Sequence, residues 1–366
     1  MYLPYYFCAV LQKIVCMNTV VLTGGGTAGH VIPALALLPY LRRDFGRIAY
    51  VGQRGGIEEQ LAARYGLPFF GTRTIRFDRQ KLWRNAAIPY VLATSAREVA
   101  EWLRAVDCRV LFSKGGYCAM PAVLAAHKCG IPIVCHESDR TLGLANRVSR
   151  LYTSHILTSF DTTRGGVCVG NPIRDEMTMG VPTRTIPLAD GPVVLVMGGS
   201  MGALSLNRMA VELAAASPSW QIVNLYGRSP VTPRSPNYHG LAFVDNVADY
   251  YARADVVVCR AGANTLFELA AVAKPVVTVP LPKSDTSRGD QVQNAAYFAD
   301  RYGFRVIAER DMTTAGMADA VRAAMEQGCG QRAESHAANR RIADYLAMVA
   351  REGAEAAAIR PQNPRD

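Results

Sequence analysis

The sequence has nine cysteines, an odd number, and no CxxC pair among them. That excludes both a fully paired disulfide framework and a cysteine zinc site. Cys118, Cys135 and Cys259 lie in or beside apolar runs and read as reduced core residues, which suits a cytoplasmic location. No segment reaches the roughly 20 uninterrupted apolar residues of a spanning helix. The first 16 residues, MYLPYYFCAVLQKIVC, are apolar, but Gln12 and Lys13 break them and no charged leader precedes them. They make a poor signal peptide. Met17 stands directly before the first clear strand, so residues 1–16 are either a misassigned start or a loose appendage, and no function attaches to them. Charged residues are only 19% of the chain, yet half is hydrophobic and 31 residues are glycine, a globular α/β composition and not a disordered one. Acids are short relative to bases. The resulting net charge of +10 points to an anionic partner: phosphates, nucleic acid or a membrane surface. At 366 residues, two domains are expected.

One further absence decides between ligands. A β-branched run from Asn18 to Thr23 precedes GGGTAGH and an apolar-periodic helix, VIPALALLPYLRR. Gly24, Gly26 and Gly29 satisfy GxGxxG between strand and helix. A nicotinamide enzyme needs an acid after the second strand to hold the ribose. That strand, Arg47 to Gly52, ends in Gly52-Gln53-Arg54, with no acid. What survives is an anion-binding turn at a helix N-terminus. His30 follows the turn and is either a site residue or a structural histidine.

Several segments place polar residues just past buried strands, where ligands of open α/β sheets bind. Arg109 to Ser113 leads into Gly115-Gly116, with Tyr117 and Pro121 in the next helical turn. IPIVCHE ends in His136, Glu137, Ser138 and Asp139; Glu137 is a site candidate, a helix cap or the partner of a buried arginine. The Pro-, Thr- and Gly-rich stretch 180–192 marks a domain boundary. The opening pattern then recurs: strand Pro192 to Met197, the loop GGSMGA (198–203), and a helix in LSLNRMAVELAAA. Strands follow near Gln221 to Leu225 and Leu241 to Val244. Repetition of strand, Gly loop and helix predicts two similar α/β domains facing one cleft.

The most informative stretch is Ala254 to Ala295. It reads as strand (Asp255 to Cys259), Gly turn, helix (about Asn264 to Ala273) and strand (Pro275 to Pro280), a parallel crossover. Arg260, Gly262, Asn264 and Thr265 fall at the strand's carboxyl end, and Glu268 lies one helical turn beyond Asn264. A carboxylate there can accept two hydroxyl hydrogen bonds, as a ribose diol offers; a solvated helix Glu is the plain alternative. Thr72 to Arg104 differs in kind. Arg73, Arg76, Arg79, Lys81 and Arg84 alternate with Ile75, Phe77, Leu82 and Trp83. Such a mixture suits an anionic membrane, single-stranded nucleic acid, or a solvated helix with snorkelling arginines.

GGGTAGHVIPALAL, GGYCAMPAVLAAHKCGIPIVCHESD, GLANR, GNPIR, VMGGSMGALSLN, CRAGANTLFELAA and SRGDQVQNA, in that order, resemble the MurG-type peptidoglycan N-acetylglucosaminyltransferases from about Met17 to Ile359. The resemblance implies a GT-B fold: two Rossmann-like α/β domains with parallel sheets and a deep cleft between them. The boundaries expected are 1–16 (extension), 17–175 (acceptor and membrane), 176–336 (donor) and 337–366 (a helix packing back on the first domain, and tail). It implies inverting transfer of N-acetylglucosamine from UDP-GlcNAc to the C4 hydroxyl of the muramyl sugar of undecaprenyl-diphosphate-MurNAc-pentapeptide (lipid I), giving lipid II and UDP. No cofactor or metal is expected. The location implied is peripheral, on the cytoplasmic side of the cell membrane, with cell-wall synthesis proteins as further partners and no nucleic acid. That role belongs to cell-wall biogenesis, and so to cell shape and division.

Carried over by motif, Thr27, Ala28 and Gly29 lie near donor and acceptor diphosphate, with Gly26, His30, Gly116 and Tyr117 on the acceptor side. Ser200 meets donor phosphate, Arg174 of GNPIR is a donor contact, and the Val244 backbone pairs with uracil. Ala263, Asn264, Thr265, Leu266 and Glu268 form the donor helix start, with Glu268 on the ribose, and Gln291 reaches the sugar hydroxyls. The segment from Arg73 to Arg84 becomes the membrane patch. Two departures stand out: Ser138-Asp139 where many members read Gln-Asn, and Asp290-Gln291 where many carry a Gln pair. They put Asp139 and Asp290 in question as donor contacts. His30 is the first candidate for general base and Glu137 the second. The rival readings are a transferase acting on another membrane lipid, such as diacylglycerol, and a non-catalytic nucleotide-sugar-binding scaffold.

Overall fold

The computed structural model describes residues 19–78, 80–178, 186–199, 201–284, 289–328 and 335–359. The chain divides into two compact units. The first runs to Arg174 and takes the chain back from His336; the second is Asp175–Ser335.

The first unit holds seven strands: β1 (Thr19–Thr23), β2 (Arg47–Gln53), β3 (Phe69–Thr72), β4 (Cys108–Ser113), β5 (Ile133–Glu137), β6 (Ile156–Thr158) and β7 (Val167–Cys168). They form one sheet in the order β3-β2-β1-β4-β5-β6-β7, every pairing parallel. A parallel sheet is covered on both faces, so its central strands are continuous apolar runs and not alternating ones. TVVLT of β1 is buried at all five positions. The covering helices are α1 (Ala28–Leu35), α2 (Leu38–Leu41), α3 (Ile57–Arg64), α4 (Ile88–Ala105), α5 (Met120–Lys128) and α6 (Leu144–Ser149). The single helix expected over VIPALALLPYLRR is thus two, with a turn at Ala36-Leu37. Pro39, which has no N–H for an i−4 carbonyl, enters at the start of the second.

The second unit repeats the plan. Strands β8 (Val193–Met197), β9 (Gln221–Leu225), β10 (Tyr238–Leu241), β11 (Val256–Cys259), β12 (Val276–Thr278) and β13 (Arg305–Val306) pair in the order β10-β9-β8-β11-β12-β13, again all parallel. Its helices are α7 (Asp175–Thr178), α8 (Leu204–Ala216), α9 (Val247–Arg253), α10 (Ala263–Ala271), α11 (Asp290–Tyr302) and α12 (Thr314–Gln327). One strand lies earlier than expected: Tyr238–Leu241 pairs with β9, and Leu241 to Val244 leads out of the sheet. The polar start of this strand misleads a sequence reading. Asn237 spends its amide on the carbonyls of Ala214, Ser217 and Trp220, while Tyr238 accepts from Asn224 at 2.9 Å. Asp255, expected in β11, precedes it and accepts the Val193 N–H at 2.7 Å.

The last helix, α13 (Ser335–Ile359), belongs to the first unit. Ile342, Ala343, Leu346 and Val349 join the core built on Val20, Leu22 and Tyr50. Asn339, fully buried, clamps Ile173 by accepting its N–H (3.1 Å) and donating to its carbonyl (2.7 Å). Tyr345 meets His155 Nδ1 at 2.9 Å.

Truncating fully buried Leu346 to Ala is expected to cost about 2–5 kcal/mol. Hydrogen exchange followed by mass spectrometry should show the loss in β1, β2 and β4 and spare β8, β9 and β11. Equal loss in both sheets would contradict assignment of this helix to the first unit's core.

Candidate functional site

In each sheet the strand order reverses direction beside the first strand, at β1/β4 and at β8/β11, and the Gly-rich turns sit at those two carboxyl ends. In the first unit the two turns are in contact. Gly25 N–H donates to Gly115 O at 3.3 Å, and Lys114 N–H to Thr23 O at 2.8 Å. Gly116, at φ +82°, lies so close that a Cβ there would stand 2.4 Å from Gly25 O. Only glycine fits. Glu58, on α3 and 1% exposed, accepts the Gly26 N–H at 2.6 Å, and Tyr50 donates to Gly24 O at 2.6 Å. The loop's shape is therefore fixed from behind by a carboxylate and a phenol. The Gly26 N–H is spent on Glu58, leaving the start of α1 as the anion-facing part of the loop. Thr27 and Gly29 are exposed there, Ala28 and His30 half-buried. Thr27 Oγ1 is 3.1 Å from His30 Nδ1.

The end of β2, where an acid was missing, is Gln53. Its Oε1 accepts from Tyr117 Oη (2.9 Å) and Thr74 Oγ1 (3.2 Å). This anchors Tyr117 beside Gly26. Burial pushes the Tyr117 phenol up to about 12, so it remains a donor across ordinary pH.

At the end of β5, Glu137 is buried and both its oxygens are engaged. Oε1 accepts the Asp139 N–H (3.0 Å); Oε2 accepts the Gly143 N–H (2.7 Å) and Asn146 Nδ2 (2.9 Å). Of the three roles open to it, this is nearest to a cap: it ties the 138–143 turn to the start of α6. Asp139 is half-buried at the rim. Beneath lies a group that the sequence reading passed over. Lys114, 2% exposed, donates to His136 Nδ1 and to Ser138 Oγ, both at 2.7 Å. His136 Nε2 in turn donates to Gly170 O at 2.9 Å. Burial holds the Lys114 ammonium down to about 7 against the pull of Glu137 and Asp139, and burial with the Lys114 charge keeps His136 neutral, well below the usual histidine range. The rule that singled out residues 136–139, polar groups just past a buried strand, applies equally to Lys114 after β4.

In the second unit, Gly199 (φ +86°) and Gly202 (φ +78°) turn the loop after β8, closed by Gly202 N–H to Gly199 O at 2.9 Å. Ser200 lies outside the described residues. Helix α10 starts at the end of β11 with Gly262 as its N-cap and no side-chain cap. Its first N–H groups favour an anion. Asn264, Thr265 and Glu268 are half-buried on one side, and Tyr251 Oη stands 3.4 Å from Glu268 Oε2. Ala263 and Leu266 point the other way. The Leu266 side chain is fully buried and its N–H is spent on Gly262 O. The helix ends at Ala271 and not Ala273, which has φ +54°. Arg260 is likewise internal, donating to Val279 O, Ser205 Oγ and Glu309. Gln291 Oε1 accepts the Leu281 N–H at 2.9 Å, leaving the amide NH2 as its donor group, and Asp290 opens α11. Asn294, fully buried, holds Ala261 O at 3.2 Å under the α10 turn. Val244 is half-buried in the loop before α9, and Arg174 is half-buried at the end of the first unit.

The basic stretch is not a helix. Residues 73–78 are irregular and a 3-10 turn, Leu82–Ala87, leads into α4. Arg73, Arg76, Phe77, Lys81, Trp83 and Arg84 are exposed, Trp83 at 74%, while Ile75 is half-buried. Tyr90, also 74% exposed, extends the apolar side. Arg84 packs over the Trp83 ring at 5.4 Å, and Asp78 ties the turn by accepting the N–H groups of Gln80 and Lys81. Arg79 and the Leu82 side chain lie outside the described residues. No described helix is long and apolar enough to cross a membrane.

The chain matches the glycosyltransferase family 28 N-terminal domain over residues 20–158 and the family 28 C-terminal domain over 193–348. It is 36% identical to the UDP-N-acetylglucosamine--N-acetylmuramyl-(pentapeptide) pyrophosphoryl-undecaprenol N-acetylglucosamine transferase of Lachnoclostridium phytofermentans, covering 83% of this chain and 90% of that one. A Lachnospira eligens protein of the same name is 34% identical, covering 84% and 90%. Among solved structures, Acinetobacter baumannii MurG (22% identity, TM-score 0.63, 92% and 95% covered) and the calicheamicin glycosyltransferase CalG4 (14%, 0.61, 93% and 98%) share the fold.

The depressed Lys114 has a stability consequence. Its folded value, about 7, lies below its unfolded value of 10.5. Between them the unfolded chain binds more protons at this side chain, so its contribution to stability rises with pH across that window. The difference in Tm between wild type and Lys114→Met should move in favour of the wild type from pH 7 to pH 10. A difference independent of pH would contradict a depressed lysine.

Proposed function

The chain belongs to glycosyltransferase family 28, and on that footing we propose that it is a MurG-type enzyme, transferring N-acetylglucosamine from UDP-GlcNAc to the C4 hydroxyl of the muramyl sugar of lipid I. What carries the reading is agreement over nine-tenths of the length of relatives bearing that activity in their names. The acceptor oxygen attacks the anomeric carbon, the bond from that carbon to the UDP oxygen breaks with its electrons going to UDP, and the configuration inverts. The hydroxyl proton needs a base, and the departing diphosphate needs donors.

His30 is the base in this scheme. Thr27 Oγ1, 3.1 Å from its Nδ1, orients the ring for proton transfer. Glu137, its carboxylate already accepting three hydrogen bonds, anchors the acceptor-side turn instead. Glu268 takes the ribose hydroxyls, supported by Tyr251, with Asn264, Thr265 and the α10 N-terminus beside it. Gln291 offers its NH2 to the sugar, the Val244 backbone reads uracil, and Arg174 with the Gly198–Gly202 loop meets donor phosphate. Gly26 to Gly29, Gly116 and Tyr117 serve the acceptor diphosphate.

The protein works in this reading as a peripheral enzyme on the cytoplasmic membrane face. Trp83, Tyr90 and Phe77 would enter the interface while Arg73, Arg76, Lys81 and Arg84 meet anionic headgroups, each worth about 1 kcal/mol near the surface.

The deciding assay is UDP release from UDP-GlcNAc with lipid I analogue, with diacylglycerol, or with neither. Release only with the lipid I analogue is expected; release with diacylglycerol, or with neither acceptor, would overturn the reading. His30→Ala should lower kcat by roughly tenfold or more while UDP-GlcNAc binding persists. Near-normal turnover would remove His30 as base.

Trp83→Ala and Lys81→Ala should each reduce co-sedimentation with phosphatidylglycerol vesicles, and the basic substitution should weaken the salt dependence. Unaltered binding in both would place the membrane contact elsewhere.

A further inference from the structure

We propose that Gln53 is a positioning residue for acceptor binding: its one carboxamide oxygen joins the root of the basic segment to the tyrosine that lies against the first glycine loop, so that membrane contact is felt at the site. The inference rests on the reading above, in which the segment after β3 meets the membrane and Gly26 to Gly29 serve the acceptor diphosphate.

Gln53 is the last residue of β2 and pairs in register with Thr72, the last of β3. Beyond Thr72 the chain leaves the sheet, and residues 73–78 are irregular. Their root is fixed all the same. Ser95 Oγ, on α4 and 1% exposed, donates to Arg73 O at 2.8 Å, and Thr74 Oγ1 donates to Gln53 Oε1 at 3.2 Å. The same oxygen accepts from Tyr117 Oη at 2.9 Å and, more weakly, from Cys118 Sγ at 3.6 Å. Burial pushes the Tyr117 phenol and the Cys118 thiol up to about 12, so both keep the protons they donate. Three donors on one oxygen set the orientation of the carboxamide, because its NH2 could not accept from any of them.

Tyr117 carries the constraint into the loop. Its ring lies against Gly26, where a Cβ would stand 2.6 Å from Tyr117 Cε1. Gly26 leads directly to Thr27, the N-cap of α1. The path from segment to loop is therefore two hydrogen bonds and one ring contact: Thr74 to Gln53, Gln53 to Tyr117, Tyr117 to Gly26. Arg76 and Phe77, both exposed, stand two and three residues beyond Thr74. Headgroup contact there restrains the chain at Thr74. The freedom of that residue is then already lost when the acceptor requires Tyr117 and the loop in place, and the acceptor binds at a smaller entropic cost. Such coupling is reciprocal: the acceptor tightens membrane contact by the factor by which the membrane tightens the acceptor.

The test measures kcat/KM for a water-soluble lipid I analogue, its lipid too short to enter a bilayer, with and without phosphatidylglycerol vesicles. Partitioning cannot concentrate such an acceptor, so a vesicle effect reports coupling. Wild type should gain roughly fivefold, the scale of one or two net hydrogen bonds, with donor KM unchanged. Gln53→Met, of similar length but without the carboxamide, and Thr74→Val, of similar shape but without the hydroxyl, should each lose most of that gain while still co-sedimenting with the vesicles. Thr74→Ser should keep it, and the double variant should lose no more than either single one. By reciprocity, the analogue should raise the vesicle affinity of wild type and not that of Thr74→Val. A gain that survives in both folded variants, a loss that Thr74→Ser shares with Thr74→Val, or a loss that follows lost vesicle binding overturns the coupling. Should Gln53→Met fail to fold, the Thr74 pair decides alone. Wild type that releases no UDP with the analogue, or binds no vesicles, overturns the reading on which the coupling rests; wild type that does both and shows no gain overturns the coupling alone.

Discussion

The constraint on which both units depend is that a sheet with all its strands parallel must be covered on both faces. Strand β1 is buried at every position, and β5 turns polar only in its last two residues, His136 and Glu137. Polar function is displaced to the carboxyl edge, and it concentrates where successive crossovers leave in opposite directions. Each unit meets the constraint in the same way, with a glycine turn after its first strand and a second turn after its fourth. In the first unit those turns are close enough to exclude a side chain at Gly116, where a Cβ would stand 2.4 Å from Gly25 O. Backbone N–H groups and helix starts are then what the edge can offer, which suits ligands with diphosphates.

Bare glycine loops have no shape of their own, and the structure spends buried polar groups on giving them one. Glu58 and Tyr50 grip the first loop from beneath; Asn294 holds the turn before α10, and Asn207 holds the carbonyls of Tyr226 and Ser229 beside the second loop. Each buried donor or acceptor would cost about 1–3 kcal/mol unpaired. Substitutions at these residues would therefore disturb ligand binding without touching a ligand. Such positions are easily mistaken for site residues.

The two-unit plan was legible because it rests on patterns that occur twice: a buried β-branched run, glycines, then a helix. Strand β9 and helix α8 fall where their residues say they should. The site was legible only as addresses. Polar residues after a buried strand can be found by counting, and His30, Glu137, Asp139 and Glu268 all stand at such places. Their partners are not local. Nothing in the neighbourhood of Gln53 says that Tyr117 will donate to it, and nothing near Gly26 says that Glu58 will take its N–H. Leu266 sits between Asn264 and Glu268 in sequence, yet its side chain is fully buried while theirs are half-buried. The polar start of β10 and the break at Pro39 were missed for a further reason: tertiary hydrogen bonds, and a single absent N–H, overrode the local hydrophobic pattern.

The same distinction bears on how carboxylates and bases are told apart. As sequence candidates for the base His30 came first and Glu137 second. Their surroundings separate them. The Glu137 carboxylate accepts from two backbone N–H groups and an amide, and so holds the 138–143 turn in place. His30, in the first turn of a helix, has its Nδ1 beside a threonine hydroxyl that orients the ring. Lys114 adds a third case, a cation whose partners are a neutral ring and a hydroxyl. In that arrangement the charge serves geometry, holding the ends of β4 and β5 together.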